Sequence, residues 1–139
     1  MQLFLDANII FAAAISPEGR AQALFALAQA GYGTLLTSGF AAEEARRNVE
    51  RKYPEALERL ERLLERCRMV PEGTAARLAW AHDVLPPKDA PILAAAVEVG
   101  AELLVTGDRA HFGALYGRTF EGTEIVSLTE GLTRLLELQ

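Results

Sequence analysis

Two short apolar runs in this chain each lead into an aspartate. Leu3-Phe4-Leu5-Asp6 lies near the start, and Leu103-Leu104-Val105-Thr106-Gly107-Asp108 comes much later. Runs this short and this apolar read as strands buried on both faces. Helical signals fill the stretches between such runs. Strands alternating with helices imply a parallel sheet with helices on both sides, so the predicted class is α/β.

The same reading predicts strands over 2–5, 34–36, 67–70, 102–105 and 124–126. Helices are predicted over 8–14, from Ser16-Pro17 to the Gly31-Tyr32-Gly33 stop, from Ser38 to Lys52, from Pro54 through Leu64, over 73–82, over 89–99, and from Ser127 through Leu136. Ser16 serves here as an N-cap with Pro17 as first helical residue. A chain of 139 residues fits one domain, 1–139, and buries enough surface to fold without a staple. The charged run 55–68 reads as a solvated helix face, with Glu58 and Arg62 at i,i+4 spacing.

Composition narrows the function classes. The formal net charge is −5, whereas a non-specific nucleic-acid binder is usually basic. Acidity does not exclude a nuclease whose negative charge is concentrated at a bound cation. The one cysteine, Cys67, excludes an intramolecular disulfide and a thiolate cluster, which fits a reducing cytosol. Cys67 is expected to pack as a small hydrophobe. The N-terminus lacks a basic region and is interrupted by Asp6, so no signal peptide is expected. No run reaches the length of a membrane span, and a cytoplasmic location without membrane contact is expected.

In an open parallel sheet, ligands bind beyond the carboxyl ends of the strands. Asp6 and Asp108 follow two such strands. Asp89 opens the helix that feeds the second of them, and a helix antiparallel to its strands starts at that same end. In the helix after Ser38, Ala41, Ala45 and Val49 form the apolar stripe. At about 100° per residue, Glu44 lies about 100° from that stripe and Glu43 about 160°. Glu44 is therefore expected at the rim of the crevice, with Asn48 and Arg51 on the same flank. Glu43 is expected to pair with Arg47. Glu98 falls about 180° from Asp89 and is expected outside the site. Each acid also has a structural reading: helix cap for Asp6 and Asp89, surface charge for Glu44, turn residue for Asp108.

Two carboxylates about 4 Å apart repel by roughly 4 kcal/mol at an effective dielectric near 20. A divalent cation removes that conflict, and all-oxygen ligation suits Mg²⁺ or Mn²⁺ rather than zinc. Neither histidine has metal-ligand spacing. His82 is expected on a helix surface, and His111 is expected to hydrogen-bond near the site.

Taken in order, these residues resemble the PIN-domain family over nearly the whole chain. Leu3-Phe4-Leu5-Asp6-Ala7-Asn8 resembles its opening strand, and Ser38 with Glu44 and Asn48 its helix-borne acid. Lys88-Asp89-Ala90-Pro91-Ile92-Leu93-Ala94-Ala95-Ala96 and Val105-Thr106-Gly107-Asp108-Arg109-Ala110-His111-Phe112 resemble its later acidic segments. The resemblance implies a three-layer α/β/α fold around a five-stranded parallel sheet in order 3-2-1-4-5. It implies Mg²⁺- or Mn²⁺-dependent hydrolysis of RNA phosphodiesters, leaving a 5′-phosphate and a 3′-hydroxyl. Asp6, Glu44, Asp89 and Asp108 would be the catalytic and metal-binding set. Asn8 and Thr106, with Asn48, would give polar support. Arg51, Arg109 or Arg20 would contact phosphate.

Small members of the family include VapC-type toxins, so an antitoxin partner and a homodimer are also implied. Two other readings remain open at this point. One is a non-catalytic PIN module that binds RNA or protein. The other is a haloacid-dehalogenase-type phosphatase, disfavoured because its second acid position holds Asn8.

Overall fold

A computed structural model describes residues 1–137. The chain runs through β1 (Gln2–Leu5), α1 (Ala7–Ile15), α2 (Arg20–Gln29), β2 (Thr34–Ser38), α3 (Gly39–Lys52) and α4 (Leu57–Glu65). It continues through β3 (Arg68–Val70), α5 (Ala75–His82), α6 (Ala90–Val99), β4 (Leu103–Val105) and α7 (Arg109–Phe112). It ends with β5 (Thr119–Phe120), β6 (Thr123–Val126) and α8 (Leu128–Glu137). Single 3₁₀ turns over Pro54–Ala56 and Gly113–Leu115 lead into α4 and out of α7.

The strands form one sheet in the order β3-β2-β1-β4-β6-β5. The first five in that list are parallel, and they reproduce the predicted 3-2-1-4-5 order. The sixth strand was not expected. Thr119-Phe120 folds back antiparallel on β6 through a two-residue turn. Glu121 (φ 48°) and Gly122 (φ 94°) are both left-handed, as the tight turn of a right-twisted hairpin requires. A two-residue strand is too short to show a period, so the sequence pattern does not reveal it.

Side chains along each strand alternate between two cores. Leu3, Leu5, Leu35, Leu103, Val105 and Val126 face one side, with α1–α4 and α8. Phe4, Leu36, Val70, Leu104 and Ile125 face the other, with α5 and α6. The small residues of α6 make close packing possible there. Ala94, Ala95 and Ala96 are fully buried, and a Cβ placed on Gly73 would stand 2.9 Å from the Ala94 Cβ. On the opposite side, α4 buries Leu60, Leu63 and Leu64 and leaves Glu58 and Arg62 paired in solvent at 3.0 Å.

One predicted boundary is wrong. Ser16-Pro17 does not open α2. Ser16 ends α1, donating its N–H to the Ala12 carbonyl, and Gly19 is the N-cap of α2. Ser16 to Gly19 is a turn closed by the Gly19 N–H on the Ser16 carbonyl at 3.0 Å. Proline's fixed φ suits the second position of such a turn as well as a first helical turn. Cys67 is buried as expected, and burial pushes its thiol up to about 12.

Candidate active site

The site forms where β1 and β4 end side by side. Asp6 extends the β1 ladder by donating its N–H to the Val105 carbonyl at 3.0 Å. Its carboxylate is 3% exposed. Oδ1 accepts the Ala7 N–H at 2.7 Å and so caps α1. Oδ2 accepts the Thr106 hydroxyl at 2.8 Å and the Asn8 amide at 3.2 Å. Asn8 Oδ1 in turn accepts the Gly107 N–H at 2.8 Å, and Thr106 Oγ1 accepts the Asp108 N–H at 3.1 Å. Asp6, Asn8 and Thr106 thus stitch the two strand ends together. Asp6 caps α1 and also lines an open cleft. Burial pushes its carboxyl up to about 6, against the hydrogen bonds from Thr106 and Ala7 and with the charges of Glu44 and Asp89 adding to the rise.

Asp89, Asp108 and His111 form the tightest group. One ligand atom from each lies within 4.8 Å of the other two. Asp89 makes no side-chain cap on α6, because its backbone is already helical. It is 5% exposed, and its Oδ2 has no hydrogen-bond partner among the described residues. His111 Nδ1 stands 2.7 Å from that oxygen, within ion-pair distance of it when the ring is protonated. Burial raises the Asp89 carboxyl above the usual range, with His111 opposing and Asp108 adding to the rise. Asp108 caps α7: Oδ1 accepts the His111 N–H at 3.1 Å, and Oδ2 faces His111 Nδ1 at 3.1 Å. A buried oxygen without a partner is costly unless something positive completes it. This donor set fits a divalent cation.

Glu44 enters from the first half of α3, which Ser38 caps through the Ala41 N–H at 3.3 Å. Asp6, Glu44, Asp89 and Asp108 all line one open cleft of about 430 Å³. Burial raises the Glu44 carboxyl, while Lys88 opposes that rise. Glu44 therefore lines the cleft rim, as its phase on α3 predicts. Glu43 is exposed, as expected, but its partner is Arg46 at 3.8 Å rather than Arg47. Glu98 is outside, accepting the Thr74 N–H at 3.1 Å. His82 is exposed.

Not every predicted residue reaches the cleft. Asn48 accepts a hydrogen bond from Arg51 at 3.1 Å, and neither lines the cleft. The reason is one turn of helical rise, which carries them along α3 past Glu44. Arg109 is exposed at the start of α7 and is not among the lining residues, although its neighbours Asp108 and Ala110 are. Arg20 is committed to Thr129 at 2.7 Å. Two residues are more prominent than the sequence reading made them. His111 hydrogen-bonds Asp108 at 3.1 Å, as expected of a residue near the site, and also stands 2.7 Å from Asp89, which sequence spacing did not suggest. Lys88 lines the cleft and faces Glu44 and Asp89. Its position just before Asp89 was the available signal.

This sheet order, with acids gathered at the β1–β4 junction, defines a class. The chain belongs to the PIN-domain family, whose model matches residues 3–117. Among solved structures, the fold is similar to VapBC2 from Rickettsia felis bound to a DNA fragment from their promoter. That match has a TM-score of 0.68 and 17% identity, covering 91% of this chain and 98% of that one. VapBC-1 from nontypeable Haemophilus influenzae is similar at TM-score 0.61 and 17% identity, covering 93% and 99%. FitAcB from Neisseria gonorrhoeae is similar at TM-score 0.60 and 19% identity, covering 91% and 98%. At these identities the likeness is one of fold. No curated protein sequence matches the chain.

Proposed function

We propose that this protein is a divalent-metal-dependent ribonuclease of the PIN family. The observation that carries the reading is the buried Asp89 Oδ2, which makes no hydrogen bond among the described residues and has only the His111 ring nitrogen beside it, in a cleft shared with Asp6, Glu44 and Asp108. Four carboxylates in one cleft are a poor arrangement for stability alone, because burial and mutual repulsion raise Asp6, Glu44 and Asp89 together. Mg²⁺ or Mn²⁺ fits the mostly oxygen donor set.

Asp89 and Asp108 would hold the ion, with Asp6 and Glu44 completing the negative cleft. When bound, the ion supplies a water of lowered pKa and offsets charge on the phosphoryl oxygens. Asp6 is fixed by Thr106, Asn8 and Ala7, so its orientation is set before substrate arrives. Glu44, carried on α3 and raised by burial, would accept a proton from the attacking water. Lys88, exposed at the cleft edge, carries the positive charge to meet a backbone phosphate. The products would carry a 5′-phosphate and a 3′-hydroxyl.

The fold neighbours VapBC2 and VapBC-1 support a further reading of this chain as the toxin of a toxin–antitoxin pair, with a protein partner covering the cleft. Cytoplasmic location and homodimerisation go with that reading. No helix among the described residues is long and apolar enough to cross a membrane. The test is Mn²⁺-dependent cleavage of a mixed RNA pool, with Asp6→Asn as control and the product ends mapped. Cleavage by wild type but not by the variant supports the proposal. Equal cleavage by both, or none by wild type with Mn²⁺ bound, overturns it.

A further inference from the structure

We infer that His111 is a direct nitrogen ligand to the metal, beside Asp89 and Asp108, and that it biases this centre toward Mn²⁺ over Mg²⁺. The inference rests on the proposed metal site and adds a ligand that an all-carboxylate reading lacks. His111 Nδ1 stands 2.7 Å from Asp89 Oδ2 and 3.1 Å from Asp108 Oδ2. Adjacent ligands on an octahedral ion with bonds near 2.1 Å stand about 3.0 Å apart. The two distances bracket that edge.

A hydrogen-bonding role explains the ring less well. Nδ1 is closer to the Asp89 oxygen than to the Asp108 oxygen it hydrogen-bonds, and Asp89 Oδ2 makes no hydrogen bond among the described residues. That oxygen is buried and faces the same cleft. What the ring nitrogen and both carboxylate oxygens share is a point between them. The residue's backbone is fixed beside Asp108, because the His111 main-chain N–H is donated to Asp108 Oδ1 at 3.1 Å on the first turn of α7. Its imidazole is 37% exposed, so its approach does not require burying a histidine.

The consequence is selectivity. Mg²⁺ is a hard cation that prefers oxygen and keeps its waters, whereas the first-row transition ions accept imidazole more readily, Mn²⁺ the least readily of that series. One nitrogen in an otherwise carboxylate site therefore favours a transition ion over Mg²⁺, and Mn²⁺, the member of that series closest to Mg²⁺ in its taste for carboxylates, gains modestly.

The experiment uses tag-free full-length protein, wild type and His111→Gln. Pulsed electron paramagnetic resonance of bound Mn²⁺ reads nitrogen coupling directly, and calorimetry gives Mn²⁺ and Mg²⁺ affinities. The wild type is expected to show nitrogen coupling, and the variant to lose it. The variant's Mn²⁺ affinity is expected to fall on the order of tenfold, with a smaller fall for Mg²⁺. Mn²⁺ bound without nitrogen coupling, or an equal loss for both ions, overturns the ligand assignment and leaves the nuclease reading standing. Absence of any Mn²⁺ binding by folded wild type overturns both. The wild-type spectrum decides the matter even if the variant folds poorly.

Discussion

Asp6 makes the metal-free protein most stable when its carboxyl is protonated. The carboxyl lies 3% exposed at the end of β1 and is raised from 3.8 to about 6. Between those values the folded protein holds a proton that the unfolded chain releases. Stability from this group is therefore fully present below about pH 4 and is lost as pH rises through 6. The shift of roughly two units corresponds to about 3 kcal/mol, at about 1.36 kcal/mol per unit. That is a large share of the stability of a small domain. Other carboxyls titrate over the same range. Asp89 and Glu44 are raised, whereas Glu61 and Glu124 are lowered by Arg46 and Arg134. The informative quantity is therefore the difference between wild type and Asp6→Asn. Urea unfolding in EDTA at pH 4 and pH 7.5 measures it. The variant is expected to gain about 2 kcal/mol on wild type between the two values, because part of the shift lies below pH 4. Saturating Mn²⁺ at pH 7.5 is expected to restore the wild type by mass action and to do much less for the variant. Parallel stability curves for the two proteins in EDTA would refute the assignment of a raised carboxyl to Asp6.

Asp6→Asn, Asp89→Asn and Asp108→Asn are each expected to abolish Mn²⁺-dependent RNA cleavage while leaving circular dichroism unchanged; full activity in all three removes the acidic set from the chemistry. Glu44→Gln is expected to lower cleavage at least a hundredfold and Glu43→Gln less than twofold in the same assay, as general-base loss implies; the reverse order places the wrong glutamate in the cleft. Thr106→Val is expected to raise the Asp6 ionisation further, because it removes the 2.8 Å hydrogen bond that favours the charged form, and an upward shift of the pH midpoint for Mn²⁺ binding checks this. Gly73→Ala is expected to destabilise by about 1–3 kcal/mol, since its new Cβ meets the Ala94 Cβ at 2.9 Å and Ala94 backbone at 3.1 Å; an unchanged urea midpoint means α5 moves aside freely.

The strands and the acids were legible for one reason. β1 and β4 are buried on both faces, so Leu3-Phe4-Leu5 and Leu103-Leu104-Val105 had to be continuous apolar runs, and a carboxylate ending each run stands out. Glu44 was legible because Ala41, Ala45 and Val49 fix the phase of α3. The β5–β6 hairpin was not legible, since its pairing is settled by the left-handed pair Glu121-Gly122 rather than by periodicity. Ser16-Pro17 misled because the same two residue types serve a turn and a helix start. His111 was legible as a neighbour of Asp108 three residues before it, but its approach to Asp89 was not, because Asp89 is distant in sequence and spacing rules for ligands see only one segment at a time. Asn48 and Arg51 were misplaced because an angle around a helix says nothing of position along it.

Leu3 pairs with Leu103 and Leu5 with Val105, so the cleft needs both ends of a long loop of chain. A nascent polypeptide on the ribosome that has not yet reached Asp108 cannot assemble the cleft, whatever its local helices do. Pairings between such remote segments form late and slowly. Synthesis itself thus imposes a delay between the appearance of the first acid and the first moment at which the chain can act on a nucleic acid.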